Sequence, residues 1–193
     1  MQYCYLKDIA EISIGLLLNR KKANPSDKNI FNYKAVSLKS FNDKAIYDPN
    51  FEDDFFSNEN LDQYKVQKND ILVRLREPNF AILMDKNYPN LIYSSLIAKI
   101  KIKDENFNPF FIAHFLNSNV VKKALAQDIS GTTITSINIK NLENIKAPKT
   151  PLKTQTLLAK YIKETNKKNQ ILNDLINLNT NLQKNILEDY IKG

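Results

Sequence analysis

Lysine and isoleucine alternate through "AKIKIK" (98–103), the period of two that a strand with one buried and one wet face requires. The stretch closes a longer pair of apolar runs, "NLIYSSLIAKIKIKD" (90–104). Upstream, "NDILVRLREPNFAILMD" (69–85) predicts two strands joined around Glu77, Pro78 and Asn79. "YKAVSLKSF" (33–41) alternates and is rich in strand formers, and "YLKDIAEISIG" (5–15) predicts a short helical turn leading into a strand that stops at Gly15. The stretch between residues 45 and 64 predicts loops and a short helix at most.

The period then changes. "NPFFIAHFLNSNVVKKALAQDI" (108–129) has helical spacing, with Asn108 as cap, Pro109 near the first helical position and a break near Asn117, Ser118 and Asn119. A polar turn, Ser130, Gly131, Thr132 and Thr133, and a second alternating stretch follow. From Pro151 there is no further Gly or Pro until Gly193, with Thr150 placed to cap and Pro151 to take the first helical position. An apolar track runs through Leu157, Tyr161, Ile171, Leu175, Leu178, Leu182, Ile186 and Tyr190, interrupted by Glu164 and Lys168. Its steps of four, three and four from Ile171 to Leu182 are those of a coiled coil. The pattern predicts an α+β fold: a globular domain over 1–150 with a mixed or antiparallel sheet and flanking helices, then one long coiled-coil-forming helix over 151–193.

Composition narrows the class. With 42% hydrophobic residues, ten Phe and nine Tyr, the chain is too apolar for disorder. Cys4 is the single cysteine, so no internal disulfide forms, and no run reaches the roughly 18 apolar residues of a membrane span. The N-terminus has neither the basic start nor the apolar stretch of a signal peptide, and a cytoplasmic location is expected. The net charge is +7, unevenly spread. Residues 45–64 hold six carboxylates and no Lys or Arg, while the rest of 1–150 carries 21 basic against 11 acidic groups. That asymmetry suits one face turned toward a polyanion. Lys outnumbers Arg 25 to 3, so the three arginines, Arg20, Arg74 and Arg76, stand out.

Catalytic chemistry finds little support. Phosphate and dinucleotide loops need closely spaced glycines, and the three here lie at 15, 131 and 193. "NPFF" (108–111) departs from the Asn-Pro-Pro-aromatic motif of amino-methyltransferases at its third residue and reads as a helix start. None of the 21 carboxylates has the lysine two residues on that metal-dependent nucleases commonly use. His114 and Cys4 are the only residues of their kinds, which excludes clustered zinc ligands. Both read as packing residues. A binding protein with no cofactor and no metal is expected.

Arg74 and Arg76, two apart on a predicted strand, share a face beside the "EPNF" turn. Arginine can hold guanine O6 and N7 with two hydrogen bonds, and Asn79 can do the same for adenine. Arg20, Lys21 and Lys22 form a mobile basic loop suited to phosphates. Ser130, Gly131, Thr132 and Thr133 offer hydroxyls and open backbone N–H groups, also suited to phosphate.

In chain order, "LKDIAEISIG", "VQKNDILVRLR", "NPFFIAHFLNS", "SGTTITSINIKNLENIKAPKTPLKTQ" and the long helix resemble the DNA-specificity subunit of type I restriction–modification enzymes. The resemblance implies that 1–150 is a DNA target-recognition domain reading half of a split site, with "LENIKAP" as its last strand and "TPLKTQ" as the start of a spacer helix. It implies double-stranded DNA and a methyltransferase subunit as partners, and leaves open whether a restriction subunit joins. A full specificity subunit holds two such units and this chain holds one, so it either forms a homodimer through its helix, over 152–191, or is one half of a longer protein. Asn69 stands where the family often has Gly, and Lys149-Thr150-Pro151 replaces a common double proline. The rival reading is an interaction protein whose helix docks a partner while the domain reads no DNA.

Overall fold

The computed structural model describes residues 2–24, 26, 27, 29–129 and 136–192, apart from the side chains of residues 128 and 129. In chain order its elements are β1 (Tyr3–Tyr5), α1 (Leu6–Ile9), β2 (Ala10–Ile14), β3 (Phe31–Ala35), β4 (Asp53–Ser57), β5 (Ile71–Arg74), β6 (Ala81–Leu83), β7 (Leu91–Ile92) and β8 (Ile97–Ile102). Then follow α2 (Pro109–Leu116), α3 (Asn119–Ile129), α4 (Ile139–Glu143), β9 (Lys146–Pro148) and α5 (Leu152–Lys192). The chain divides into two compact units, Met1–Gln155 and Thr156–Gly193. This is the α+β class that the pattern predicts.

In the first unit the apolar runs build an antiparallel sheet in the order β2-β8-β5-β6. Ile71, Leu72 and Val73 of β5 are all buried, because this interior strand is covered on both faces. Along β8 the alternation holds only in part: Ile97 and Ala98 are both buried, and beyond them Ile100 is buried and Lys101 exposed, with Lys99 and Ile102 half-buried. A second, mixed sheet of order β4-β3-β7 has β3 antiparallel to β4 and parallel to β7. Leu72, Ile82 and Ile97 of the first sheet share a core with Val36, Phe41 and Tyr47. The chain's two flanks are joined by a small third sheet, β1 with β9. There Cys4 is half-buried rather than buried, its Sγ donating to the Ala147 carbonyl at 3.7 Å.

The acidic stretch departs from expectation by supplying a strand. In β4, Phe55 and Ser57 are buried on one face while Asp54 lies exposed on the other, and Asp53 is exposed at the start of this edge strand. Lys34 of β3 pairs with Asp54 at 2.6 Å, and Lys65 with Asp62 at 2.7 Å. The strand predicted over 33–41 stops at Ala35 and turns into a 3-10 turn at Leu38–Ser40. Likewise "LENIKAP" divides between the end of α4 and the strand β9.

The helical region follows its capping chemistry. The Asn108 side chain accepts from the N–H groups of Phe110 and Phe111, with Pro109 at the first helical position. At its other end Asn117 closes α2, and α3 begins two residues on. Pro151 is the flanking residue of α5 rather than its first helical one, its carbonyl accepting from Gln155 N at 3.0 Å. The 41 residues of α5 span about 60 Å at ~1.5 Å per residue.

His114 lies half-buried on α2, its ring 4.5 Å from that of Phe110, and its Nε2 has no hydrogen-bond partner among the described residues. Burial holds its pKa below the ordinary histidine value. The unfolded chain therefore binds the proton first, and stability falls as pH drops through the ordinary value toward the lowered one. Chemical denaturation between pH 7 and 5 is expected to show this loss in the parent and a flatter profile in His114→Phe. Parallel profiles would refute the assignment.

Candidate nucleic-acid interface

Sheet register decides which loops meet. Ile14 lies opposite Ala98, Arg74 opposite Ile97, and Val73 opposite Ala81. The ends of β2 and β5 and the beginnings of β8 and β6 therefore share one end of the four-stranded sheet. Three segments leave from it: 15–23 after β2, 75–80 between β5 and β6, and 93–96 before β8. They are tied together by main-chain hydrogen bonds, Leu16 N to Tyr93 O (3.3 Å), Ser95 N to Leu16 O (2.8 Å) and Leu75 N to Leu96 O (2.9 Å).

A fourth segment joins from far along the chain. Arg76 and Ser136 form an antiparallel bridge, and Ile137 N donates to Leu75 O at 2.9 Å. Ser130, Gly131, Thr132 and Thr133 lie outside the described residues.

The two arginines differ in environment. Arg74 ends β5 and is half-buried, its Nη2 donating to the Glu77 carbonyl at 3.0 Å across the turn. Arg76 lies beyond the strand, exposed, with no ion-pair partner among the described residues. Asn79 donates from Nδ2 to the Arg74 carbonyl at 3.2 Å, so its amide closes the turn and keeps its oxygen as acceptor. Around the cis Glu77–Pro78 bond, this places Arg74 as a brace and Arg76 as the freer donor fork.

The basic loop is folded rather than irregular. Leu18–Arg20 forms a 3-10 turn, and Ala23 N bonds to Phe56 O at 2.8 Å, pinning the loop to β4. Lys21 holds both carboxylate oxygens of Glu59, at 2.8 and 2.7 Å. One of the three loop cations is therefore neutralised by the acidic segment, while Arg20 and Lys22 stay exposed.

Two residues that the sequence reading missed complete this end. Lys122 of α3 sits with its Nζ 4.7 Å from the Phe80 ring centroid, a cation–π contact, and with Glu77, Pro78, Asn79 and Ala126 lines a cleft of about 400 Å³. A lysine in an amphipathic helix looks solvated in sequence, and only the fold brings it to the turn. Asn117 covers the outer edge of β6, accepting from Ala81 N (2.7 Å) and donating to Ala81 O (2.8 Å). Those bonds satisfy an otherwise open strand edge and anchor the α2–α3 junction beside the turn.

Arg20, Lys22, Arg74, Arg76 and Lys122 thus lie on segments that meet at this end of the sheet, with Glu77 beside Lys122 at the turn. Such a set can bind phosphate and base edges but offers no nucleophile paired with a base. Among the described residues, no group of three or more His, Cys, Asp or Glu is placed to hold a metal ion. None of the described helices is long and apolar enough to cross a membrane.

The type I restriction modification DNA specificity domain family matches residues 1–180, and the chain belongs to that family. Among solved structures it is similar to a component of a type I R-M system studied for its complex assembly and conformational transition, at 17% identity and a TM-score of 0.58 over 89% of this chain and 39% of that one. It is also similar to the HsdS subunit from Thermoanaerobacter tengcongensis, at 15% identity and TM-score 0.54 over 86% of this chain and 37% of that one. The type I restriction-modification S subunit from M. genitalium gives 18% and 0.53, over 92% and 42%. The chain therefore spans about two-fifths of the length of these structures, which share its fold. Comparison with curated proteins returns no match.

Proposed function

We propose that this chain is a DNA-recognition unit of the specificity subunit of a type I restriction–modification system. Its first unit reads one half of a split duplex site, and the helix pairs two copies and docks the methyltransferase subunit. The observation that carries the reading is the convergence of Arg20, Lys22, Arg74, Arg76 and Lys122 at one end of one sheet, in a family of DNA-specificity domains. The chain itself is non-catalytic, and it acts inside the cell where DNA is. Two copies related by a twofold axis would read inverted half-sites separated by a fixed gap.

Selection from a random duplex library by the purified protein is expected to enrich a gapped inverted repeat. Affinity for it should fall steeply with salt as phosphate contacts release counterions. No enrichment, with or without the methyltransferase subunit, would favour the interaction-protein reading. Arg76→Ala is expected to weaken binding to the selected site by about 1–3 kcal/mol and to relax preference at one base pair. A uniform loss on all sequences would make Arg76 a phosphate ligand instead.

A further inference from the structure

Residues 45–64 lay six carboxylates along the flank that holds β4. Three of them take a lysine: Asp54 holds Lys34 at 2.6 Å, Asp62 holds Lys65 at 2.7 Å, and Glu59 holds Lys21 through both oxygens, at 2.8 and 2.7 Å. Lys34 and Lys65 belong to the flank itself. Lys21 comes instead from the 15–23 segment at the recognition end, where its two neighbours, Arg20 and Lys22, stay exposed.

Both partners of this pair are rooted. On one side Lys21 N donates to Leu18 O at 2.9 Å and Ala23 N to Phe56 O at 2.8 Å, and Ala23 is buried. On the other, Glu59 N donates to the Ser57 hydroxyl at 3.1 Å, and Ser57 is fully buried. Two residues on, the buried Leu61 donates its N–H to Tyr33 Oη at 2.8 Å. A surface ion pair ordinarily loses much of its gain to the ordering of two long side chains. Here the main chain on each side is already fixed, so only side-chain freedom is lost.

We propose that Glu59 withholds Lys21 from the DNA backbone, standing in for a phosphate. To reach a real phosphate, Lys21 would have to exchange one anion for another. The exchange would leave the Glu59 carboxylate unpaired beside a polyanion, with no net gain of opposite-charge contact. Lys21 therefore adds nothing to counterion release, whereas Arg20 and Lys22 on either side of it do. Phosphate contacts carry no sequence information, so a withheld cation lowers the hold on every duplex alike. A larger share of the affinity then falls to base contacts such as the one assigned to Arg76. Glu59 is in this sense a specificity-determining residue that touches no base.

The inference rests on the recognition reading above and names a residue that restrains it. The test titrates the full chain, Glu59→Gln and the double variant Glu59→Gln/Lys21→Gln onto a fluorescent mixed-sequence duplex, by anisotropy, across salt from about 50 to about 200 mM. Both side chains reach solvent, so the fold is expected to stand in each variant. Each phosphate neutralised steepens the fall of log K with log salt by about 0.9. Glu59→Gln frees Lys21, so its slope is expected to exceed the parent's by that amount, a gain of roughly eightfold for each tenfold drop in salt. The double variant is expected to return to the parent's slope. A Glu59→Gln slope equal to the parent's would overturn the proposal. So would a double variant flatter than the parent, because Lys21 would then already sit on a phosphate. A double variant as steep as Glu59→Gln would overturn it as well, assigning the gain to the lost repulsion of the carboxylate. In those three outcomes the parent's own binding leaves the recognition reading standing. A parent that binds no duplex at any salt, with or without the methyltransferase subunit, would overturn both.

Discussion

Gly15→Ala is expected to lower the melting temperature by roughly 6–12 °C, corresponding to about 3 kcal/mol in a chain of this size. A Cβ at this position would lie 2.3 Å from the Tyr93 carbonyl oxygen and 2.4 Å from that of Ser94. Both atoms are main chain, so no rotamer change relieves the overlap. The main chain there is fixed on both sides: Gly15 N donates to Ile97 O, Leu16 N to Tyr93 O, and Ser95 N to Leu16 O. Relief requires β2 to separate from the 93–97 turn, and with it the loop that carries Arg20 and Lys22. The variant should therefore lose DNA affinity together with stability, whereas Arg76→Ala should lose affinity at an unchanged melting temperature. A Gly15→Ala protein that melts like the parent would show that the turn relaxes at little cost.

The need for glycine at this point was half legible. The apolar alternation ends there, which marks the end of a strand, but the close approach of the 93–94 main chain comes from tertiary structure alone. The same division runs through the rest of the molecule. Strands with continuous or alternating apolar residues, β2, β5, β6 and β8, announce themselves, as do α2 and α3 through Asn108, Pro109 and the Asn117–Asn119 break. The strands that do not are β1, the three residues Tyr3, Cys4 and Tyr5 paired with a segment over 140 positions away, and β4, whose aspartates mask its buried Phe55. Candidate site residues divide on the same lines. Local pattern places Arg74, Arg76 and Asn79 around one turn, but it cannot show that Arg74 braces the turn, that Glu59 holds Lys21, or that Lys122 arrives from α3. Those are consequences of register and packing, which depend on pairs of residues far apart in sequence.

Gln155 is the clearest case of a residue whose weight only the structure reveals, and Gln155→Glu is expected to destabilise the protein by about 3 kcal/mol at neutral pH. The side chain is fully buried. Its Oε1 accepts from Asn108 N at 2.9 Å, and its Nε2 donates to Asn106 O at 2.9 Å and to Thr150 O at 2.6 Å. Three main-chain groups around the start of α2 and the root of α5 are satisfied by one amide. A glutamate of the same shape keeps the acceptor but replaces both donors with an anion facing two carbonyl oxygens. Each unsatisfied or repelled buried group costs about 1–3 kcal/mol. Burial and the facing carbonyls would raise the pKa of the new carboxyl above its ordinary ~4.3, since its protonated form can donate to one of them. The folded variant then binds a proton that the unfolded chain has already lost, so its stability relative to the parent should improve as pH falls toward and below that value. Gln155→Leu, which has no proton to gain, should show a comparable loss with no such recovery. If Glu and Leu variants instead track the parent at every pH, the three hydrogen bonds do not hold the root of the helix.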